Sequence, residues 1–218
     1  MNITKNIAIT NEDNMQLMAR YQDNHFDLAI VDPPYGINAD KKQNRLSQDD
    51  KIITNGGTYK KYKNTNWDNA VPTKQYFNEL IRVSKNQIIW GGNYFFDLHL
   101  RGCVVWYKGN SGVFNEGELA KSSFNTFKVY KYSRTDAYIN DCDIKIHPTQ
   151  KPVSLYEWLL QNYAKEGYKI LDTHLGSGSI AMACHNLGYE LTACELDKEY
   201  YEAAIKRIKD HISQQRLF

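Results

Sequence analysis

Asp32-Pro33-Pro34-Tyr35 is a loop rich in hydrogen-bond acceptors and poor in donors. Two consecutive prolines fix φ and remove two N–H groups, so the carbonyls of Asp32 and Pro33 are held out on a stiff backbone. Such a loop suits a planar group bearing an NH2: the Asp32 carboxylate and the Pro33 carbonyl each accept one N–H, and Tyr35 offers a ring to stack on. An exocyclic amine of adenine or cytosine is a poor nucleophile, because its lone pair is delocalised into the ring. Holding both hydrogens in acceptors favours a tetrahedral nitrogen and aims the lone pair at an electrophile, which is positioning plus electrostatic stabilisation. Taken alone, the tetrapeptide is equally an ordinary strand-to-loop turn, so the rest of the chain has to decide.

A second group of residues lies near the C-terminus. Gly176, Gly178 and Ala181 satisfy the pattern G-x-G-x-x-G/A, and Glu195 stands about 20 residues on, where a ribose-binding acid belongs. The pattern points to an adenosine-containing cofactor and does not by itself separate a dinucleotide from S-adenosylmethionine. Between the two groups lies His147-Pro148-Thr149-Gln150-Lys151-Pro152. A Thr and a Pro at this place are how many helices start. Lys151 is less expected, since positive charge beside a helix N-terminus is unfavourable unless an anion joins it. A carboxylate ligand is one candidate for that anion.

These residues need a scaffold. The chain has 218 residues, 42% apolar and 24% charged, which fits one globular domain over 1–218 and excludes wholesale disorder. A net charge of +2 creates no global field announcing a polyanion. Cys103, Cys142, Cys184 and Cys194 show neither metal-ligand spacing nor disulfide density, so no metal is expected and the thiols read as reduced. With no signal-peptide core and no apolar run long enough to span a membrane, a cytoplasmic location is the default.

Residues 26–31 form a short apolar run ending in Asp32, a buried parallel strand opening into the acceptor loop. A strand within 3–10 and a helix from Asn11-Glu12-Asp13 to Tyr21 precede it. Residues 38–66 lack apolar periodicity and carry interleaved Lys, Arg and Tyr, the composition of a flexible loop that tracks phosphates and stacks a base. Pro72 is placed as the first residue of a helix ending near Ser84. Strands are expected at 87–90, 102–107 and 124–132, with 109–123 irregular and 108–146 a small target-recognition insertion. Further on come a helix at 153–163, a strand at 168–172, a helix at 180–187, a strand at 190–194 and a helix from 200 to about 215.

The C-terminal third is thus β-α-β-α, with a Gly turn and an acid ending its second strand. Only one helix follows Glu195, so the remaining strands of this sheet must come from earlier in the chain. If 3–10 and 26–31 are its third and fourth strands, the fold is an α/β, doubly wound, mostly parallel Rossmann-like sheet, circularly ordered with the cofactor half C-terminal. Next to an amine-holding loop, that arrangement favours a methyl donor over a hydride carrier.

In this order the motifs resemble the DNA amino-methyltransferase family, specifically its permuted, beta-class members. The resemblance rests on Asp32-Pro33-Pro34-Tyr35, the turn after Trp90, residues 147–152, Asp172 to Ser179 and Glu195-Leu196-Asp197. It implies that Asp32 and Pro33 polarise the target amine, Pro34 shapes the loop and Tyr35 stacks on a flipped base. It also implies S-adenosylmethionine as cofactor. Asp172, Gly176, Ser177 and Gly178 would line its methionine end, Thr149 and Lys151 would meet its carboxylate, Glu195 would take the ribose, and Asp13 would face its adenine, with Asp32 between cofactor and base. An Asp-initiated tetrapeptide points to N6 of adenine in double-stranded DNA, and the family suggests a homodimer. Thr173-His174 departs from the family's Pro-Phe, placing at the cofactor an imidazole that can stack and can make affinity depend on pH, although for catalysis the plainer reading is a loop residue bonded to backbone. Transfer to cytosine N4, to RNA or to a protein amide on the same core remains open, as does an idle nucleic-acid-binding subunit.

Overall fold

The computed structural model describes residues 1–38, 68–95, 98–109, 115–133, 136 and 146–214. Eight strands make one sheet: β1 (Ile7–Asn11), β2 (Leu28–Val31), β3 (Gln87–Trp90), β4 (Gly102–Tyr107), β5 (Gly117–Ser122), β6 (Phe127–Lys131), β7 (Lys169–Asp172) and β8 (Glu190–Glu195). The helices are α1 (Asn14–Met18), α2 (Lys74–Val83), α3 (Val153–Tyr163), α4 (Ser179–Leu187) and α5 (Lys198–Ser213). The strand order is β1-β8-β7-β2-β3-β5-β4-β6. Every ladder is parallel except the two made by β5.

This is a mixed α/β, mostly parallel sheet whose central strands are buried on both faces. Leu28 and Ile30 belong to one hydrophobic cluster with α3, α4 and α5, while Ala29 and Val31 belong to a second with α1 and α2. Each fully buried Leu or Ile contributes roughly 1.5–3 kcal/mol. Counted from β7, the run β1-β8-β7-β2-β3 has the spatial order 3-2-1-4-5 of a doubly wound sheet. β7 leads away through α4 to β8 on one side, and β2 leads to β3 on the other. The carboxyl ends of β7 and β2 therefore flank a switch point, where such sheets hold ligands.

Local chemistry sets the ends of elements. Asp13, Thr73 and Asp197 accept backbone N–H groups in the first turns of α1, α2 and α5. Because Thr73 takes the cap, α2 begins at Lys74 and Pro72 lies outside the helix, not at its first position as expected. α1 stops at Met18, short of Tyr21. Gly178 caps α4 at φ 79°, and a Cβ there would lie 2.8 Å from Ile208 Cδ1 of α5, so this glycine is needed for helix–helix approach.

The larger departure is β5. The stretch 109–123, expected to be irregular, contains a strand seated between β3 and β4, pairing Trp90 with Ala120 and Trp106 with Glu118. Gly117-Glu118-Leu119-Ala120-Lys121-Ser122 has no apolar alternation because one of its polar residues, Glu118, is matched by lysines rather than by water. Part of the expected insertion at 108–146 is thus the main sheet. The loop expected at 38–66 lies outside the described residues, apart from Asn38. Cys103, Cys184 and Cys194 are free thiols, and Cys142 lies outside the described residues. Among the described residues, no helix is long and apolar enough to cross a membrane.

Candidate active site

The loops after β2 and β7 open onto one cavity of about 960 Å³. Its wall after β2 is residues 32–35, and its wall after β7 is residues 173–177. Further lining comes from Glu12, Asn14 and Met15, from the stretch between Asp68 and Tyr76, from the residues around Gly91 and Tyr94, from Gly117 to Leu119 on β5, from His147 and 149–151, and from residues 195–197.

On the β2 wall, both Asp32 oxygens are engaged. Tyr35 Oη donates to Oδ1 at 2.5 Å and Lys151 Nζ donates to Oδ2 at 2.5 Å. The loop backbone is pinned by Asp68, 1% exposed, whose Oδ1 accepts Tyr35 N at 2.6 Å and Gly36 N at 2.8 Å. The Tyr35 ring stacks on Tyr94 at 5.1 Å with 14° between planes. Gly91 lies so close that a Cβ would sit 2.1 Å from the Tyr35 ring, and its φ of 70° also favours glycine. Burial first, then the Asp32 and Glu118 charges, hold the Tyr35 phenol well above its usual range. It is therefore a proton donor to Asp32 at neutral pH.

Lys151 differs from expectation. The resemblance assigns it to the cofactor carboxylate, but its ammonium, on a side chain only 2% exposed, pairs with Asp32 and lies 3.0 Å from Glu118 Oε2. The anion that its position before α3 called for is supplied by the protein's own carboxylates. Burial would lower the Lys151 pKa, but Asp32 and Glu118 raise it above the ordinary value. Glu118 is raised by burial yet brought down to about 2 by Lys151 and Lys108.

On the β7 wall, backbone groups do the holding. Glu195 Oε2 accepts Gly176 N at 2.8 Å and its Oε1 accepts Asp197 N at 3.0 Å. Burial raises the Glu195 carboxyl against these bonds. Gly176 turns at φ 55° and Ser177 follows, its carbonyl fixed by Arg207 at 2.7 Å. Thr149 faces the same space, its Oγ1 3.1 Å from His147 Nδ1. Thr173 Oγ1 lies 2.9 Å from His174 Nδ1 and 2.7 Å from Tyr76 Oη. His174 Nε2 lies 3.1 Å from the Asn14 amide nitrogen, which has only hydrogens to offer, so Nε2 accepts and the proton sits on Nδ1. Burial pushes His174 down to about 3, which keeps the imidazole neutral across the physiological range.

Three residues named from the sequence stand elsewhere. Asp13 does not line the cavity; its Oδ1 caps α1 through Met15 N at 2.8 Å, while Glu12 and Asn14 face the space. Asp172, 2% exposed, lies beneath the wall and accepts His174 N at 3.0 Å. Its burial, with Asp32 and Glu195 nearby, pushes the carboxyl up to about 8. Gly178 packs against α5 and is not a lining residue. Conversely, Asp68, Tyr94, Glu118 and Arg207 were not singled out. Their partners are far away in sequence, and only Tyr94, beside the glycine turn after β3, carried a local signal.

A cofactor of adenosine and amino-acid parts fits these walls. Glu195 keeps lone pairs free beyond its two backbone bonds and can accept a ribose diol. The exposed Leu196, also lining the cavity, offers an apolar surface to a ring. No group of three or more metal-ligating side chains occurs among the described residues.

Comparison with known proteins places this architecture. The type II methyltransferase M.HpaI of Haemophilus parainfluenzae is 36% identical over 84 residues, 38% of this chain and 26% of that protein, so the matched part spans about a quarter of that relative. The M1.HpyAVI–SAM complex superposes with a TM-score of 0.59 at 17% identity, covering 92% of this chain and 99% of that one. The PvuII DNA methyltransferase, titled cytosine-N4-specific, superposes with a TM-score of 0.57 at 12% identity, over 95% and 92% of the two chains. These likenesses show a shared fold. The family profile described as DNA methylase, for N6 and N4 enzymes, matches residues 59–206. The chain belongs to the DNA methylase family.

Proposed function

We propose that the protein transfers the methyl group of S-adenosylmethionine to N6 of an adenine flipped out of double-stranded DNA. One observation carries the reading: the acceptor loop after β2 and the Glu195–Gly176 wall after β7 face each other across a single cavity at the switch point of the sheet. Bound there, S-adenosylmethionine supplies an electrophilic methyl group. Glu195 accepts the ribose hydroxyls, Gly176 and Ser177 lie along the chain of the ligand, and Thr149 offers a hydroxyl to its polar end. Asn14 and Glu12 take the place assigned to Asp13 at the adenine end.

Across the cavity, Asp32 and the Pro33 carbonyl accept the two N–H bonds of the target amine and turn its lone pair toward the methyl carbon. Positive charge developing on that nitrogen is stabilised by the Asp32 carboxylate. Reaching the loop requires the base to leave the stack, as in other base-modifying enzymes. The Tyr35–Tyr94 pair supplies the aromatic surface that receives it.

Labelled S-adenosylmethionine, unmethylated double-stranded DNA and nucleoside analysis of the digest test the reading. N6-methyladenine as the labelled product is expected. N4-methylcytosine would overturn the acceptor atom, and unlabelled DNA would overturn the substrate class.

A further inference from the structure

Glu118 lines the cavity between the two walls' loops without belonging to either. It sits on β5 opposite Trp106, where its Oε1 accepts from Lys108 Nζ and its Oε2 lies 3.0 Å from Lys151 Nζ. Lys151 in turn donates to Asp32 Oδ2 at 2.5 Å. Lys108, Glu118, Lys151 and Asp32 thus form a row of alternating charge, drawn from four separate segments of the chain, that ends at the amine-holding loop.

The row matters because of what the proposed reaction does to charge. As the N–CH3 bond forms the S–CH3 bond breaks, and the target nitrogen beside Asp32 carries a positive charge until it loses one of its protons to solvent, so negative charge is wanted there. A carboxylate paired with a buried ammonium presents mainly a dipole, and its attraction for a new cation is weakened by the ammonium's repulsion. Glu118, on the other side of that ammonium, puts a second negative charge against it, while Lys108, which closes the row at net zero, meets the far oxygen of Glu118, one link further from Asp32. The remaining neighbours of Lys151 are the Tyr35 hydroxyl at 3.4 Å, the Trp90 ring at 5.1 Å and the Tyr35 ring at 5.9 Å, with the Asp172 carboxyl near enough to be felt. None of these three close neighbours is a charged counterion, so among the described residues the task falls to Glu118.

We infer that Glu118 is a positioning residue for methyl transfer: by sharing Lys151 with Asp32 it neutralises that ammonium and leaves the Asp32 carboxylate its charge for the target amine. The inference rests on the amino-methyltransferase reading of the same cavity. It makes Lys151 part of the acceptor loop's electrostatics, with Glu118 acting through it.

The test is Glu118→Gln, which keeps the shape and removes the charge. Its kcat for DNA methylation should fall about tenfold or more, a loss of about 1.4 kcal/mol in the barrier, while KM for S-adenosylmethionine stays within about twofold. Glu118→Asp should recover most of the rate. In ligand-free protein labelled with 15N at lysine Nζ, with the Lys151 signal assigned by Lys151→Arg, the ammonium should titrate about one pH unit or more lower in Glu118→Gln, because one of its two carboxylates is gone. The double variant Lys151→Met/Glu118→Gln removes the ammonium together with its second carboxylate, and should turn over faster than Glu118→Gln; if the single variant fails to fold, the double variant should stay within about tenfold of wild type. A Glu118→Gln enzyme with wild-type kcat, an unmoved Lys151 titration, or a double variant slower than these limits overturns the inference. Wild-type protein that leaves DNA unlabelled sinks the reading and the inference together, whereas active wild type with an unchanged Glu118→Gln variant sinks the inference alone.

Discussion

The two walls of the cavity satisfy their polar groups by opposite means. After β7, carboxylates are met by backbone N–H groups: Gly176 and Asp197 on Glu195, and His174 on Asp172. After β2, the Asp32 carboxylate is met by side chains, Tyr35 from the loop itself and Lys151 from more than a hundred positions away. The first wall is a cradle in which backbone N–H groups of two neighbouring turns hold the acids. The second is a charged constellation that exists only once four segments of the chain have met. A cradle binds a ligand, and a constellation of charge stabilises charge that moves. Substitutions after β7 should therefore act on cofactor affinity, and substitutions after β2 on turnover.

Asp32→Ala gives the sharpest break. Removing the carboxylate takes away both the acceptor for the target amine and the charge that meets the developing cation, so kcat should fall about 10³-fold or more, with the cofactor dissociation constant raised by less than about tenfold. Single-turnover methyl transfer and calorimetric titration read the two separately. Retained turnover would remove Asp32 from the chemistry.

Glu195→Ala probes the other wall. Two hydrogen bonds to a charged acceptor, each worth about 1.5–3 kcal/mol, are at stake for the ribose, so affinity should weaken about 100-fold while kcat at saturating cofactor changes little. A fall in kcat with unaltered affinity would show that the walls do not divide the work.

A smaller effect is expected at Asp68. Asp68→Ala leaves the Tyr35 and Gly36 amides without their acceptor, at about 1–3 kcal/mol for each buried group, and lets the acceptor loop drift from its aim. Turnover should fall about tenfold with cofactor affinity intact, and Asp68→Asn, which keeps the Oδ1 acceptor, should restore most of it.

The same contrast explains what could be read in the sequence. The β7 wall was legible because its parts are consecutive: a strand, a glycine turn, a helix and an acid at the next strand's end. The acceptor loop was legible for the same reason, as two prolines after an apolar strand. Its supporting residues were not. Glu118 lies on a strand without apolar alternation, since its charge is answered by Lys151 and Lys108 in the fold. Asp68 follows the polar stretch 38–66 with nothing beside it to mark a role. Lys151 was noticed as a cation needing an anion, but sequence could not say that the anion would be Asp32. Asp13 was placed at the cofactor where its cap over α1 was the nearer use, and Gly178 where packing against Ile208 was.

His174 and Asp172 sharpen the comparison further, because burial shifts both toward their neutral forms. A histidine held down to about 3 when folded, against roughly 6.5 unfolded, leaves the unfolded chain binding more protons in between, so stability falls as pH drops from about 6.5 toward 3. The carboxyl raised to about 8 has the opposite sign: the folded chain binds more protons between about 4 and 8, and stability falls as pH rises through that window. His174→Phe removes only the first contribution. Its melting temperature should decline less than that of wild type between pH 6.5 and 5. Parallel melting curves for the two proteins would mean that burial does not hold the imidazole neutral, and the β7 wall would then gain a cation beside its acids.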